Sequence, residues 1–426
     1  MHDLEKKAED AIEYVTDVCD NIGPRYSGSE AEKKCALDLK NRLDKFSDET
    51  VWHDFSVRPD LYPEGLVTIS VLVVLISVWT VVLRYPWNLI SLFGPMFGLF
   101  IFTVSLILMK DWFGFFFAKK TSHNALGKIK AKQDSPKNKK VIISGHIDSA
   151  TFMKVTELGD RIALVTLGGL GWVLLSMLIT IIKSIWITAD PGIIIVQSTG
   201  FAITFLDIIW AISAIVGLPT LIYLKMAYTG KEIVPGANDN LIAVGIALSI
   251  GEYFSKEENK LDNVDLWVGG FGSEECGERG AEYFVKVMSK KGELENSYTI
   301  VPESCGGGTH LAILKEEKMH LVTHNMDLCE KVKAGYEQYK SEHEDWDVLP
   351  CDILSLPYSA SDAGRFSLKG YNATTVLGYE GAIMKPTNWH ALTDTPENLR
   401  KNNVRDVLGI YVSFIKMLDS ELSDDF

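Results

Sequence analysis

The sequence has no excess of positive charge: 42 Lys and Arg stand against 56 Asp and Glu, a formal net charge of −14 over 426 residues. A nucleic-acid surface needs clustered positive charge, so nucleic acid is not expected as a partner. Cysteine is scarce, and Cys19, Cys35, Cys276, Cys305, Cys329 and Cys351 form no paired framework. That pattern fits a reducing compartment and excludes a disulfide scaffold. Internal repeats and low-complexity tracts are missing. Met1-His2-Asp3-Leu4-Glu5-Lys6-Lys7 leads into a polar amphipathic helix and not an apolar core, so no secretory leader is expected there.

Charge is also missing from long stretches. Mean hydropathy is +0.09 although 23% of residues are charged, so the apolar residues must be segregated. Leu66 to Leu83 and Leu89 to Met109 are such runs, joined by the tight turn Arg84-Tyr85-Pro86-Trp87-Asn88 with its interfacial aromatics. At ~1.5 Å per residue, about 20 residues match a hydrocarbon core of ~30 Å. A second pair follows: Ile162 to Ile182, closed by Arg161 and Lys183, then Ile193 to Leu224, interrupted by Gln197, Gly200 and Asp207, with its spanning part from about Phe201. These read as two transmembrane helical hairpins, 66–109 and 161–224. Asp207 is either a functional intramembrane carboxylate or an interfacial residue at a helix end.

Two hairpins put the remaining polar sequence on one side. Near the membrane that side carries Arg58, Lys110, Lys119, Lys120, Lys154, Arg161, Lys225 and Lys231, and the short turns carry Arg84 and Lys183. The positive-inside rule then predicts a multi-pass integral membrane protein with its polar domain in the cytoplasm. Asn372-Ala373-Thr374 is a formal glycosylation sequon, but it lies in a strand-like run and reads as chance.

The polar segments 1–65, 110–160 and 225–426 total roughly 320 residues, the size of one large α/β domain. Strands are expected at Thr50 to Val57, Ala125 to Ala131, Lys140 to Ser144, Leu266 to Gly270, Ser297 to Val301 and Ala373 to Leu377. Helices are expected at Leu4 to Asn21, from the Ser29 cap to about Phe46, and at Leu241 to Phe254, Gly280 to Lys290, Met326 to Lys340 and Asn398 to Leu418. Such alternation predicts an α/β fold with a mostly parallel or mixed sheet sandwiched by helices. Sites in such sheets collect at the carboxyl ends of strands.

Polar residues fall at those ends. Ser144-Gly145-His146-Ile147-Asp148 follows the apolar Val141-Ile142-Ile143, and in extended geometry His146 and Asp148 point to one side. Gly236-Ala237-Asn238-Asp239-Asn240 presents an acid just before a helix, equally readable as a cap. Gly272-Ser273-Glu274-Glu275-Cys276-Gly277 places adjacent carboxylates at a strand end, where they repel unless a cation or proton intervenes. Val301-Pro302-Glu303 and Trp389-His390-Ala391-Leu392-Thr393-Asp394 complete the set. Each is bland alone.

In this order, His-x-Asp, Gly-Ala-x-Asp-Asn, Glu-Glu-x-Gly, an acid, and aromatic-His near Thr-Asp, the chain resembles the co-catalytic zinc aminopeptidases of metallopeptidase family 28. Glutamate carboxypeptidase, glutaminyl cyclase and the transferrin receptor ectodomain are relatives there. Ile22-Gly23-Pro24-Arg25 with Gly28-Ser29, and Ser361-Asp362 with Phe366, extend the resemblance across the polar sequence; the apolar runs lie outside it. The resemblance implies two zinc ions, one replaceable by another divalent metal. It implies that His146 and Glu303 hold one, Glu275 and His390 the other, and Asp239 bridges them. Glu274 is then the general base, and Asp148 orients His146.

Two departures stand out. Glu303 occupies a position where most relatives have aspartate, and Trp389 one where several have tyrosine, so a phenol hydrogen bond to a developing oxyanion is missing or replaced by the indole N–H. Glu303, Asp362 or Arg365 are the candidates for holding a free amino terminus, and Arg365 alternatively favours a carboxylate. Cys276 and Cys305 flank metal-binding positions and read as small packing residues.

The expected function is a membrane-embedded dizinc aminopeptidase acting on peptides near the membrane surface. The hairpins either tether it there or shape access for hydrophobic peptides, because the second hairpin begins and ends near His146-x-Asp148 and Asp239 in sequence. The alternatives are a carboxypeptidase-like or glutaminyl cyclase-like enzyme, the latter expected to bind one metal, and a non-catalytic membrane scaffold. The bilayer is the expected partner besides peptide, with homo-oligomerisation open.

Overall fold

A computed structural model describes residues 2–133, 135, 138–154, 161–358 and 360–424. In chain order its helices are α1 (His2–Asn21), α2 (Glu30–Leu43), α3 (Glu64–Val78), α4 (Ile90–Leu108), α5 (Arg161–Ala189), α6 (Phe205–Tyr228), α7 (Ile242–Ser255), α8 (Arg279–Lys290), α9 (Met326–Glu342), α10 (Asp362–Ser367) and α11 (Lys401–Asp424). Its strands are β1 (Glu49–Val57), β2 (Lys120–Ile129), β3 (Lys139–His146), β4 (Ile194–Gln197), β5 (Ala202–Thr204), β6 (Val264–Phe271), β7 (Ser297–Glu303), β8 (His310–Glu317), β9 (Val322–Thr323), β10 (Cys351–Leu356) and β11 (Asn372–Tyr379). The chain forms two compact units, 1–59 with 117–152 and 232–426, and 60–116 with 153–231.

The first unit is built on a nine-stranded mixed sheet in the order β1-β2-β6-β3-β7-β11-β8-β10, with β9 paired to β8. The strands β6, β3, β7 and β11 are mutually parallel, and β2 and β8 flank them antiparallel. Runs of β-branched residues such as Val141-Ile142-Ile143 suit these centrally buried strands. Their side chains alternate between two cores. Val141, Ile143, Leu266, Val268 and Ile300 pack with α1, α7, α9 and α11 on one face, and Ile142, Trp267 and Val301 pack with α8 and α10 on the other.

All six expected strands are present, each starting earlier or ending later than expected by up to about a turn of chain. The strands β8, β9 and β10 have no counterpart in the sequence reading. In β8 the apolar Leu311 to Leu314 run is short and leads into charged residues, so only its pairing with β10 and β11 defines it. Ser29 caps α2 by accepting from Glu32 N, with Glu30 and Glu32 in the first turn and Lys40 and Arg42 in the last, matching the helix dipole. Asn372 of the sequon begins β11, where its side chain is bonded to Ser297 O and to Asn325.

The second unit holds four helices long and apolar enough to cross a membrane: Glu64–Val82, Trp87–Ser105, Leu164–Ala189 and Phe205–Tyr228. Its outer surface is apolar, with Ile76, Leu164, Leu167, Ile212 and Ile215 all exposed, which is unusual for a water-soluble body. Inside, Trp172 and Trp210 stack at 5.9 Å and Trp79 meets Trp210 edge-on at 5.1 Å. Gly217 permits this: a Cβ there would lie 2.1 Å from the Trp172 ring, so a flat indole packs directly on the α6 backbone.

One expectation changes in this unit, and Asp207 falls at a helix end, one of the two positions open to it. Lys183 does not close a span or sit in a turn, because α5 continues to Ala189. Its ammonium is buried and pairs with Asp207 Oδ1 at 2.8 Å while donating to Val81 O at 2.7 Å. Asp207 lies in the first turn of α6, where its other oxygen accepts from Thr204 N and Thr204 Oγ1 in a capping box. Among the described residues this carboxylate bonds to its own helix cap and to Lys183, which ties α6 to α5.

Candidate functional site

The parallel strands β3, β6, β7 and β11 end at one edge of the sheet of the first unit, and the sequence motifs lie there. His146 is the last residue of β3; Glu274 and Glu275 follow β6; Glu303 ends β7. Asp239 sits in the turn before α7, and His390 in the loop after β11 with a left-handed backbone, φ 50°.

These side chains converge. His146 Nε2 is 3.3 Å from Asp239 Oδ1 and 3.8 Å from Glu274 Oε2. His390 Nε2 is 3.4 Å from Asp239 Oδ2 and 3.3 Å from Glu275 Oε2. Three overlapping groups bring their ligand atoms within 4.8 Å of one another, as a cation site requires: His146, Asp239 and Glu303; Asp239, Glu275 and His390; and His146, Glu274 and Glu275. Two buried oxygens, Asp239 Oδ2 and Glu275 Oε1, have no hydrogen-bond donor among the described residues. Orphaned acceptors inside an acid-rich cluster, with imidazoles among them, fit divalent cations and suit zinc in particular.

Electrostatics point the same way. Burial, then repulsion from Glu275, Asp362 and Glu303 against the pull of His146, holds the Glu274 carboxyl well above the usual carboxylate range. Glu303 is raised for the same reasons. Burial disfavours a charged His146, yet Glu274, Asp148 and Asp239 outweigh it and raise its pKa. Burial raises Asp239, but the two histidines overcome this and lower it. A metal-free cluster of this kind stores repulsion that a cation relieves.

The surrounding shell is rigid. Asp148 accepts from Glu274 N at 3.0 Å, Glu275 N at 3.1 Å and Ser27 Oγ at 2.6 Å. Its carboxylate is 3.5 Å from His146 Nδ1, which also lies 3.2 Å from the Asp148 carbonyl. Asp148 therefore holds the backbone of the two glutamates as well as facing the histidine. Three contributors were not singled out from sequence. Asn240 Nδ2 donates to Glu303 Oε2 at 2.8 Å. Asp394 accepts from Asn238 N and Asp239 N, and burial beside Asp239 pushes its pKa up to about 7. Both belonged to motifs already in view, so their proximity in sequence to a ligand was the available signal.

Tyr358 is the third. Its ring lies 6.0 Å from Trp389, which in turn is 4.4 Å from His390, and its buried hydroxyl has no hydrogen-bond partner among the described residues. A phenol from the segment before α10 thus lies beside Trp389, and nothing local in the sequence flags it. Asp362 is buried with both oxygens unpartnered among the described residues, and burial, with repulsion from Glu278 and Asp148, raises its pKa well above the usual range. Arg365 is buried, ion-pairs with Glu278 at 2.8 Å and donates to Gly277 O at 2.7 Å. The thiols of Cys276 and Cys305 are buried and donate to the Ser273 and Val376 carbonyls, and burial pushes both pKa values up.

Residues 225–415 match the model of Peptidase family M28. A zinc aminopeptidase from Bacillus subtilis shares the fold with a TM-score of 0.56 at 12% identity, over 96% of this chain and 95% of that one. A glutaminyl cyclase from an Acidobacteriales bacterium does so with a TM-score of 0.53 at 10% identity, over 97% and 95%. An aminopeptidase from Aneurinibacillus sp. strain AM-1 follows with 0.51 at 13%, over 97% and 95%. Identities this low speak to fold. No curated protein matches the sequence.

Proposed function

Starting from the match to peptidase family M28, we propose that this chain is a membrane-embedded dizinc metallopeptidase that removes amino-terminal residues from peptides at the membrane surface. The observation that carries the two-metal reading is Asp239, whose two oxygens each face a different histidine and which belongs to two of the three cation groups. His146 with Glu303 and His390 with Glu275 would hold one ion each, with Asp239 between them. Bound zinc would supply a polarised scissile carbonyl and lower the pKa of water from 15.7 toward ~7.

The chain's own residues supply the rest. Glu274 is oriented by its backbone bond to Asp148 and lies beside the candidate ligands, where its carboxylate would accept a proton from water and return it to the leaving amine. The free hydroxyl of Tyr358 donates to the oxygen on which negative charge develops. Asp362, buried and unpartnered, is the acid available to a substrate's ammonium group.

The four apolar helices support a multi-pass membrane protein. With Lys183 neutralised by Asp207, Arg84 is the basic residue left at the hairpin turns, which favours a cytoplasmic catalytic unit. A sequon inserted near Ser198 is then expected to be glycosylated while residues 117–152 stay shielded from an external protease; an unglycosylated sequon together with cleavage within 117–152 would overturn that orientation.

The decisive experiment measures metal stoichiometry together with hydrolysis of peptides with free and blocked amino termini. Two zinc ions per chain and cleavage of free peptides alone are expected. One ion with cyclisation of glutaminyl peptides, or activity on blocked peptides, would replace the aminopeptidase reading.

A further inference from the structure

Arg25 leads the fully buried side chains in size, yet it forms no ion pair with any described residue. Its guanidinium is given over to main-chain carbonyls. Nε donates to Ile147 O at 2.8 Å, Nη1 to Pro235 O at 2.8 Å and Gly23 O at 3.0 Å, and Nη2 to Gly236 O at 2.8 Å. Its backbone exchanges two further bonds with Ser149: Arg25 N donates to Ser149 Oγ at 2.8 Å, and Ser149 N donates to Arg25 O at 3.0 Å.

These acceptors flank two ligands. Ile147 separates His146 from Asp148, and Gly236 lies three residues before Asp239. The main chains of the two segments pair farther along, where Val234 N bonds Ala150 O, Thr151 bridges Ile233 and Phe152 N bonds Glu232 O. The chain departs after Phe152 and returns at Glu232. Between that short ladder and the ligands, Arg25 is the cross-link. Gly236 is shaped to receive it: its φ is 64°, and a Cβ there would lie 2.6 Å from Ser149 Cβ and 3.0 Å from Arg25 Nη2.

We propose that Arg25 is a positioning residue that fixes the spacing between His146 and Asp239, and with it the geometry of the first cation site. The inference rests on the metallopeptidase reading. A planar five-donor fork can bind carbonyls of two segments at once in fixed directions; the three-donor ammonium of lysine cannot reproduce that geometry. A purely structural role would change thermal stability and leave the metal geometry alone, whereas positioning alters both affinity and ligand field.

The test uses the full chain in detergent, stripped of metal and titrated with Co(II), with the visible absorption of the bound ion as the geometric readout. Zinc affinity is measured by competition with a chromophoric chelator, and folding of the metal-free protein by circular dichroism. Arg25→Lys is expected to fold, to bind zinc about 10–100-fold more weakly, the range for residues that orient ligands, and to shift the Co(II) spectrum. Wild-type affinity and spectrum in folded Arg25→Lys would overturn the proposal. If that variant does not fold, Ser149→Ala decides, since it keeps the guanidinium and removes one bond: a shifted spectrum supports the clamp and an unchanged one rejects it. Failure of the wild-type chain to bind either metal is a different outcome, which removes the metallopeptidase reading and the clamp with it.

Discussion

His146 Nε2 stands 3.3 Å from one oxygen of Asp239, and His390 Nε2 stands 3.4 Å from the other. One carboxylate therefore serves both histidines. Asp239→Ala is expected to abolish binding of both ions, whereas Glu303→Ala and Glu275→Ala each lose one. Metal analysis of the three variants after equal zinc loading checks this; equal losses in all three would contradict a shared carboxylate.

Glu274→Gln keeps the shape of the side chain and removes its capacity to accept a proton. Turnover should fall by about 10²–10⁴-fold, the usual contribution of a general base, with zinc content unchanged. Loss of zinc in this variant would make Glu274 a ligand instead.

Tyr358→Phe removes a hydroxyl that has no hydrogen-bond partner among the described residues, so little effect on folding is expected. An oxyanion donor contributes about 10²–10³ in kcat. The variant should show that drop with KM and metal content near wild type, and steady-state kinetics on one peptide is sufficient to decide.

Lys183→Met leaves Asp207 buried without its cation. Breaking such a pair costs about 3–5 kcal/mol, while replacing both partners by apolar residues of similar volume is often neutral. Thermal unfolding in detergent should therefore drop sharply for Lys183→Met and recover in Lys183→Met with Asp207→Leu. Equal destabilisation of both would mean that the pair has another role.

Glu32 is buried and accepts from Gly28 N, Ser122 Oγ and Ser273 Oγ, and burial together with the nearby Asp148 pushes its pKa from 4.5 up to about 8. Because the folded value is raised, the contribution of Glu32 to stability is fully present below pH 4.5 and is lost as pH rises to about 8. Glu32→Gln cannot titrate. Relative to that variant, the metal-free wild-type chain should lose stability across this window, by at most about 1.4 kcal/mol per pH unit. Parallel curves from denaturant unfolding at pH 5 and pH 8 would refute the shift.

The sequence by itself determined the periodicities and the residue types: four charge-poor runs, alternating strands and helices, and the order of His146, Asp239, Glu274, Glu275, Glu303 and His390 at strand ends. Hydropathy and strand alternation act over a few residues, so they can be read without coordinates. Pairing between distant segments cannot. Only the fold decided that Asp239 faces both histidines, that Asp148 binds the Glu274 and Glu275 amides, that Arg365 is taken by Glu278 and that Lys183 is taken by Asp207. Tyr358 illustrates the physical reason: its ring, just after β10, comes near Trp389, after β11, where β10 and β11 are brought into one sheet through β8, a relation no local pattern encodes.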